Sequence, residues 1–467
     1  MSTSLWRLAA VELAAGYRAD TFSPADALEA ILKRIAAVNP RINAIVTLDA
    51  EGARAAALAS EARWRAGAAV SELDGVPLSV KDNIHVRGMR ATWGSRVYAD
   101  CVPQTDELPI ARLRAAGAVI LGKTNCPEFT LQGYTDNPLF GPTRNPWNTA
   151  LTPGGSSGGA VAAVAAGLGP VAIGTDGGGS IRRPASHAGL VGLKPSRGRV
   201  PRCDGFPAIL LDYEVVGPMA RSVADIVLLM RSLSAPDARD PCAAEFSDRP
   251  FEPAAGAPCR IVYAPTFAGA PVAPEIASSV AAAARVFGQL GHHVEQGEAP
   301  FDIDALNYAW PIISQAGLAW LLQSHPGARD VVGKAIRDMA ENGAAMTAVQ
   351  YFAALDSIAG LRRQLGVFFA DHDALLTPTA AALPWPADQS HPGVIDGKAV
   401  GPRGHAIFTA IANVTGCPGI SVPCTPAANG LPIGFQLIAA PGRDDLLCAL
   451  ASQYERVQPW AERWPDL

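Results

Sequence analysis

Cysteines are few in this sequence, and they follow no pairing pattern. Eight cysteines are spread over 467 residues, and none of them belongs to a C-x-x-C pair. This spacing indicates neither a zinc ribbon nor a small disulfide-bonded scaffold. Most of the thiols are therefore predicted to be buried.

No cluster of basic residues stands out either. The formal net charge is −5 and the sequence pI is about 5.9, so nucleic acid and anionic membranes are disfavoured as main partners. The chain is 49% hydrophobic and 17% charged, which is typical of a globular enzyme and not of a disordered or low-complexity chain.

The sequence also has no apolar stretch suited to a membrane span. Its most apolar region, residues 158–174, is short and interrupted by glycine, so it predicts a core helix followed by a strand. The first residues do not resemble a secretory signal, because Arg7 and Glu12 interrupt the apolar stretch. We therefore expect a cytoplasmic protein with no membrane partner.

Glycine and serine, by contrast, occur together twice between residues 151 and 198. Ser156 and Ser157 lie within GGSSGG at 154–159, and Ser180 follows three glycines. Glycine permits backbone shapes that direct several N–H groups at one point. A run of glycine amides leading into a serine predicts an oxyanion hole beside its nucleophile. Two tight loops without chemistry are the alternative interpretation.

A serine nucleophile needs a base. The eight histidines follow no catalytic motif, and Lys81 is the better candidate. The apolar run at 76–80 predicts a short buried strand that ends at Lys81. Burial lowers the pKa of a lysine, ordinarily about 10.4, by up to several units, which would allow it to act as a base. A solvated strand end is the alternative.

Taken together, these segments resemble the amidase signature family. The sequence GVPLSVKDNI at 75–84 is similar to the lysine strand of that family, PGGSSGG at 153–159 to its first serine turn, and residues 174–198 to its nucleophile segment. The spacing agrees as well, since Ser180 lies 24 residues after Ser156 and 99 residues after Lys81. Further matching segments lie at 122–129, 137–148, 412–424 and 430–438.

The resemblance implies a Ser-Ser-Lys triad, with Ser180 as nucleophile, Ser156 as proton relay and Lys81 as base. It also implies a cis peptide bond between Gly155 and Ser156. The oxyanion hole would be formed by backbone amides of Gly177, Gly178, Gly179 and Ser180. The residues implied to brace the two turns are Ser157, Asp176 and Arg182. Several relatives carry a larger side chain at position 177, and the mechanism requires neither a metal nor an organic cofactor.

For the fold, alternating strands and helices predict an α/β protein. The resemblance implies the amidase signature fold, in which a large mixed β-sheet is flanked by helices on both sides. One amidase domain is expected over residues 1–467. It would comprise a helical N-terminal arm (1–60), a catalytic core (70–235), a surface connector (236–258) and a second half of the sheet and pocket (259–467).

The N-terminal arm is predicted to pack across the sheet or to support a homodimer. Its main helix should start with Ser23 as N-cap and Pro24 in the first turn, and should stop at Asn39 and Pro40. The segment 307–320 contains Trp310 and Trp320; roofing the substrate pocket and simple core packing are both open for it.

The loop-rich stretch between residues 122 and 147 follows a predicted strand, and in the family this segment contributes to the substrate channel. Thr130 and Leu131 are candidates to line the acyl pocket, and the alternative is that they only pack the loop. We expect an amidohydrolase that cleaves a small-molecule amide to a carboxylate and ammonia or an amine. A carbamate or ester hydrolase with the same triad, and the amidase subunit of a glutamyl-tRNA amidotransferase, are alternatives. The chain lacks the tyrosine- and arginine-rich segment expected for glutamine recognition, which favours a stand-alone enzyme.

Two other classes remain as rivals. GGSSGG also fits the G-x-S-x-G nucleophile elbow of Ser-His-Asp hydrolases, although the preceding residues are turn-like where that fold needs a strand. Glycine-rich turns also bind phosphate or dinucleotides, although GTDGGGS lacks the dinucleotide spacing.

Overall fold

Helices and strands alternate along much of the chain in the computed structural model, which describes residues 4–247, 249–253 and 256–467. The α-helices are α1 (Ala10–Arg18), α2 (Pro24–Ile42), α3 (Ala50–Arg65), α4 (Leu108–Ala115), α5 (Gly158–Ala165), α6 (Arg182–Ala188), α7 (Val223–Leu233), α8 (Pro274–Gln289), α9 (Ile303–Gln323), α10 (Ala328–Val331), α11 (Lys334–Ala344), α12 (Ala348–Asp371), α13 (Ala410–Val414) and α14 (Asp444–Val457). The β-strands are β1 (Ile45–Leu48), β2 (Pro77–Lys81), β3 (Val119–Thr124), β4 (Val171–Asp176), β5 (Val191–Lys194), β6 (Val215–Ala220), β7 (Arg260–Tyr263), β8 (His293–Gln296), β9 (Ala374–Pro378), β10 (Val394–Ile395), β11 (Lys398–Ala399), β12 (Gly419–Pro423) and β13 (Gly434–Ile438).

Eleven of these strands form one mixed sheet. Their order is β1-β3-β2-β4-β6-β5-β12-β13-β9-β7-β8, and β10 pairs with β11 in a separate hairpin. Strands β3, β2 and β4 are parallel neighbours, and so are β9, β7 and β8. The strands between these two groups pair antiparallel. The predicted α/β fold with a large mixed sheet is therefore confirmed.

Apolar side chains cover both faces of the sheet. Along β4, Val171 and Ile173 belong to one hydrophobic cluster, whereas Ala172, which points the opposite way, belongs to another. Alternating residues of a strand face opposite sides, so β4 is buried on both. The helix α5 packs here with all eight residues buried, because its glycines and alanines allow close approach to the sheet.

The apolar stretch at 158–174 thus forms α5 and β4, the core helix and strand that its length predicted. Among the described residues, no single helix has the length and apolarity to cross a bilayer; only α11 and α12 taken together, bent by 99°, satisfy those two criteria.

Parallel pairing places the chemistry-bearing residues at one edge of the sheet. Strands β2 and β4 run side by side in register, with Val80 opposite Ile173. Their carboxyl ends therefore meet, and Lys81 at the end of β2 comes beside Thr175 and Asp176 at the end of β4. The turn carrying Ser180 leaves the sheet at this edge because it follows β4, whereas the turn carrying Ser156 precedes α5.

The main helix of the N-terminal arm begins as predicted but ends later. Ser23 accepts a hydrogen bond from the Asp26 amide at 3.1 Å and so caps the first turn. The predicted stop at Asn39 and Pro40 is wrong, because α2 continues to Ile42. Pro40 cannot donate a hydrogen bond to the preceding turn. The buried Ile42 side chain and the Asn39 side chain, which accepts from the amide of Ile45 at 2.9 Å, stabilise the extra residues.

The predicted connector at 236–258 packs against the body of the protein through two rings. Phe246 and Phe251 are buried, and the Arg199 guanidinium lies 5.1 Å and 5.4 Å from their ring centres. Asp248, Ala254 and Ala255 of the connector lie outside the described residues, as do residues 1–3 of the predicted arm.

The N-cap of α2 offers a stability test away from the sheet edge that carries Lys81. Replacing Ser23→Ala removes the acceptor for the Asp26 amide, and we expect a loss of about 1 kcal/mol in the free energy of unfolding. Urea unfolding followed by circular dichroism measures it. The matched control is Ser357→Ala, a half-buried serine inside α12 that donates to the Ala353 carbonyl and caps no helix. Equal stability of the two variants would contradict the capping role.

Candidate active site

Lys81 is fully buried and holds the two serine-bearing segments together. Its Nζ lies 2.8 Å from Ser156 Oγ, 2.9 Å from Thr175 Oγ1 and 3.3 Å from the Thr175 carbonyl oxygen. An ammonium has three N–H groups, so these three acceptors satisfy its charged form. The solvated strand end, which the sequence left open, is therefore excluded.

Burial changes the acidity of this lysine. Desolvation disfavours the ammonium and lowers the pKa of Lys81 from its ordinary value of 10.5 to about 8, against the opposing effect of the Glu214 and Asp176 carboxylates. With a pKa near 8, about one molecule in five carries a neutral amine at pH 7.4. The Lys81 amine can therefore accept a proton at neutral pH.

Ser156 and Ser157 have different partners. The peptide bond between Gly155 and Ser156 is cis, and Ser156 Oγ faces Lys81. The Ser157 amide donates to the Ser180 carbonyl at 3.1 Å, and Ser157 Oγ donates to the Thr175 carbonyl at 3.2 Å. Ser157 thus links the first serine turn to the second one.

Ser180 lies at the wall of a cavity. Within the described residues, its Oγ makes no hydrogen bond, and neither do the amides of Gly177, Gly178 and Ser180. The Gly179 amide is different, because it already donates to Asp176 Oδ1 at 2.6 Å. Three of the four amides predicted for an oxyanion hole are thus available to a ligand.

Gly179 also shows why this turn needs glycine. Its φ is +115°, a conformation that L side chains rarely adopt, and a Cβ atom there would lie 2.2 Å from Thr409 Oγ1. The Thr409 hydroxyl in turn donates to the Gly178 carbonyl at 2.7 Å. Close packing against Thr409 therefore fixes the turn that carries Ser180.

Asp176 and Arg182 form a fully buried ion pair below this turn. Two side-chain hydrogen bonds join them, Arg182 Nε to Oδ2 at 3.0 Å and Arg182 Nη2 to Oδ1 at 2.9 Å. The other guanidinium N–H groups donate to the Thr409 carbonyl, Gln436 and Asn413. Burial alone would raise the pKa of Asp176, but the Arg182 charge and the hydrogen bonds outweigh it and hold the pKa well below its usual range.

Three residues around the site had no role assigned from sequence. The Thr175 hydroxyl is shared by Lys81 and Asn83, whose Nδ2 lies 3.0 Å away. Asn413 Nδ2 donates to the Asp176 carbonyl at 2.8 Å. All three lie inside the family-like segments, so their positions were visible, but their contacts depend on distant parts of the chain.

The cavity beside Ser180 has a volume of about 740 Å³, within the range of sites for small organic ligands. Its wall consists mainly of residues 130–134, residues 177–183, part of α9 and residues 401–410.

Thr130 and Leu131, the predicted pocket residues, both lie on the cavity wall. The Thr130 hydroxyl also accepts a hydrogen bond from Trp93 at 3.2 Å, so it packs the loop as well. Trp310 borders the cavity, whereas Trp320 is 55% exposed and is not among the residues of the cavity wall. The roofing hypothesis therefore applies to Trp310 alone.

The structure disfavours the rival sites. No strand leads directly into residues 154–157, as a nucleophile elbow requires, and no histidine bonds to Ser156, Ser157 or Ser180 in the described chain.

A phosphate loop can be tested too, because the letters at 117–124, GAVILGKT, match the pattern G-x-x-x-x-G-K-[ST]. Six of these residues form strand β3, and the buried Lys123 donates to the Ile84 carbonyl at 2.7 Å. A strand does not direct several backbone amides at one phosphate, so the sequence matches the motif but the structure does not form a phosphate-binding loop. No group of three or more His, Cys, Asp or Glu side chains suited to a metal occurs among the described residues.

The buried ion pair gives a second stability prediction. Arg182→Met leaves the Asp176 carboxylate buried without its partner, and we expect the free energy of unfolding to fall by about 3–5 kcal/mol. Thermal unfolding measures the change. The control is Arg197→Met, which breaks the partly exposed pair with Asp212 and should cost about 1 kcal/mol or less.

If Arg182→Met does not fold, the double variant with Asp176→Asn should recover soluble protein, because both charges are then absent. Equal melting temperatures for Arg182→Met and Arg197→Met would contradict the importance of the pair.

Comparison with known proteins places this geometry in a family. The Amidase family model matches residues 26–448. A glutamyl-tRNA(Gln) amidotransferase subunit of Roseiflexus sp. (strain RS-1) is 37% identical over 94% of each chain. An acylamidase of Rhodococcus erythropolis is 34% identical over 98% of this chain and 97% of its own. The crystal structure of a bacterial aryl acylamidase from the amidase signature family superposes with a TM-score of 0.89, at 31% identity and 97% coverage of both chains. The chain therefore belongs to the amidase signature family and is a hydrolase that acts on amide bonds.

Proposed function

We propose that the enzyme hydrolyses a carboxylic amide through a serine acyl-enzyme, with Ser180 as nucleophile, Ser156 as proton relay and Lys81 as base. The observation that carries the proposal is the 2.8 Å contact between Lys81 Nζ and Ser156 Oγ, at the point where Ser180 opens onto the cavity. Ser156 is the one serine that the Lys81 amine contacts among the described residues, since the other contacts of the amine are to Thr175.

The hydrogen bonds of Lys81 suit a base that is neutral at the start of the reaction. A neutral amine has two N–H groups and one lone pair. The two N–H groups can remain on the two Thr175 oxygens, 2.9 Å and 3.3 Å away, while the lone pair faces the Ser156 hydroxyl. Thr175 thus orients the amine toward the relay.

In the first half-reaction, Ser156 gives its proton to Lys81 and takes one from Ser180, whose oxygen bonds to the substrate carbonyl carbon. The C=O electron pair moves onto oxygen, and the tetrahedral oxyanion is stabilised by the amides of Gly177, Gly178 and Ser180. The proton then returns through Ser156 to the amide nitrogen. The C–N bond breaks, and ammonia or an amine leaves as the neutral species.

In the second half-reaction, water attacks the acyl-serine. The same relay takes a proton from this water and returns one to Ser180 Oγ as the carboxylic acid is released. Proton transfers through one relay therefore serve both halves.

Two alternatives to a stand-alone amidase remain, another substrate class and a role as an amidotransferase subunit. The same triad would also cleave carbamates or esters. A role as the amidase subunit of a glutamyl-tRNA amidotransferase is favoured by the 37% identity to a subunit of such an enzyme, whereas 34% identity to an acylamidase over nearly the whole chain favours the stand-alone enzyme. A substrate panel of primary amides including glutamine, anilides, carbamates and short esters separates these candidates.

The triad predicts the effect of two substitutions on that panel. Ser180→Ala and Lys81→Met should each lower kcat by about 10⁴-fold or more, because nucleophile and base act as one unit. Release of amine or ammonia is the measurement.

Lys194→Met is the matched control for Lys81→Met. Lys194 is also a buried lysine at a strand end, burial lowers its pKa to about 8 as well, and its Nζ donates to the Pro195 carbonyl without touching a serine. Its loss should change kcat by less than about tenfold. Equal losses in the two lysine variants, or turnover that survives Lys81→Met, would rule out Lys81 as the base.

The acidity of Lys81 predicts the pH profile. Because only the neutral amine accepts a proton, kcat/KM should fall about tenfold for each pH unit below the lysine pKa and level off above it. The inflection should lie near pH 8, where burial places that pKa. A neutral anilide is the suitable substrate, since it does not itself titrate in this range. A flat profile between about pH 6 and 9 would contradict a lysine base.

A further inference from the structure

Arg183 is a buried cation on the cavity wall without an acidic partner. Its side chain is 6% exposed, and no carboxylate of the described chain forms an ion pair with it. Its Nη2 makes one long bond, 3.4 Å, to the Gly155 carbonyl, and its buried Nε makes none. A buried guanidinium is costly to leave unpaired, so this residue points to a missing anion.

A second cation, Arg403, lies near Arg183. Arg403 lies on the same cavity wall, with its guanidinium 5.6 Å from the centre of the Trp310 ring. His187 and His405 also lie near Arg183, and burial lowers the pKa of His187 to about 4 and that of His405 well below its usual range. Both imidazoles are therefore neutral at pH 7, and two guanidinium groups carry the charge of this region.

The carboxylates near the cavity are already occupied. Glu214 borders it but accepts from Arg202 at 2.9 Å, and Asp176 pairs with Arg182. This part of the cavity therefore carries excess positive charge, which an anionic ligand can neutralise.

We propose that Arg183, assisted by Arg403, binds a carboxylate of the substrate, so that the preferred substrates are amides bearing a carboxylate. The inference rests on the proposed function of the Ser180 site and specifies its substrate class. A carboxylate matches the forked N–H groups of a guanidinium, and one negative charge balances the single buried cation. Arg183 follows Ser180 by three residues, so the reacting amide and the carboxylate fit within one compact molecule.

A purely structural role for Arg183 makes a different prediction. If its bond to the Gly155 carbonyl only supported the serine turn, its loss would slow charged and neutral substrates alike. Arg403 makes no hydrogen bond to that turn in the described chain, so its loss would then have no selective effect. The ratio of the two substrate rates therefore distinguishes binding from support.

The experiment compares kcat/KM for anilides matched in shape but not in charge. Succinanilate and 4-methylpentananilide differ in the acyl group, and 4-acetamidobenzoate and 4-methylacetanilide differ in the amine. In the unmodified enzyme we expect at least one carboxylate to be preferred over its neutral match by about tenfold or more. Arg183→Gln and Arg403→Gln should each reduce this ratio, whereas Arg285→Gln, an exposed arginine of α8, should preserve it.

Absence of any carboxylate preference, or a ratio unchanged in both arginine variants, would overturn the proposal. Binding of succinanilate and 4-acetamidobenzoate to the Ser180→Ala variant, measured by calorimetry with and without Arg183→Gln, provides an assay independent of turnover. Arginine-dependent binding without hydrolysis by the unmodified enzyme would support the carboxylate site and refute the proposed reaction. Hydrolysis of neutral amides without arginine-dependent binding would support the proposed reaction and refute the carboxylate site.

Discussion

The carboxylate of Asp176 is the group on which the rest of the site depends. It lies at the end of a central strand and accepts bonds from the Gly179 and Ile181 amides and from Arg182. Asn413, which belongs to a distant part of the chain, donates to the same carboxylate at 3.0 Å. One buried charge thus connects the sheet, the turn carrying Ser180 and helix α13. Since a buried carboxylate must be paired and hydrogen-bonded, the turn has little freedom to change shape.

Three buried lysines show how partners decide what a buried amine can do. Lys123 lies 3.7 Å from Asp82 and donates to a carbonyl, and Lys194 also donates to a carbonyl. Burial lowers the pKa of all three. Of the three, Lys81 contacts a serine hydroxyl. A lowered pKa is therefore common to all three lysines and does not single out a base. The contact with the Ser156 hydroxyl, which can both donate and accept a proton, is what distinguishes Lys81.

The sequence predicted the fold and the grouping of Lys81, Ser156 and Ser180 because these depend on local patterns. An apolar strand ending in lysine and two glycine-rich turns are visible in the letters. The proposed role of Arg183 could not be predicted from the sequence, because it depends on the absence of a carboxylate partner in the folded protein. The engagement of the Gly179 amide was hidden for the same reason, and the extension of α2 past Pro40 depended on tertiary packing of Ile42.

The division between sheet and cavity wall explains how such a site can change its substrate. The bonds among Lys81, Ser156 and Thr175 lie at the edge of the sheet, beneath the turns. Much of the cavity wall comes instead from the loop at 130–134, from α9 and from residues 401–410. Substitutions in these wall segments alter the volume and charge of the cavity without removing a hydrogen bond of the lysine. An unpaired arginine in the wall is therefore a feature of substrate choice, since the chemistry at the strand ends does not require it.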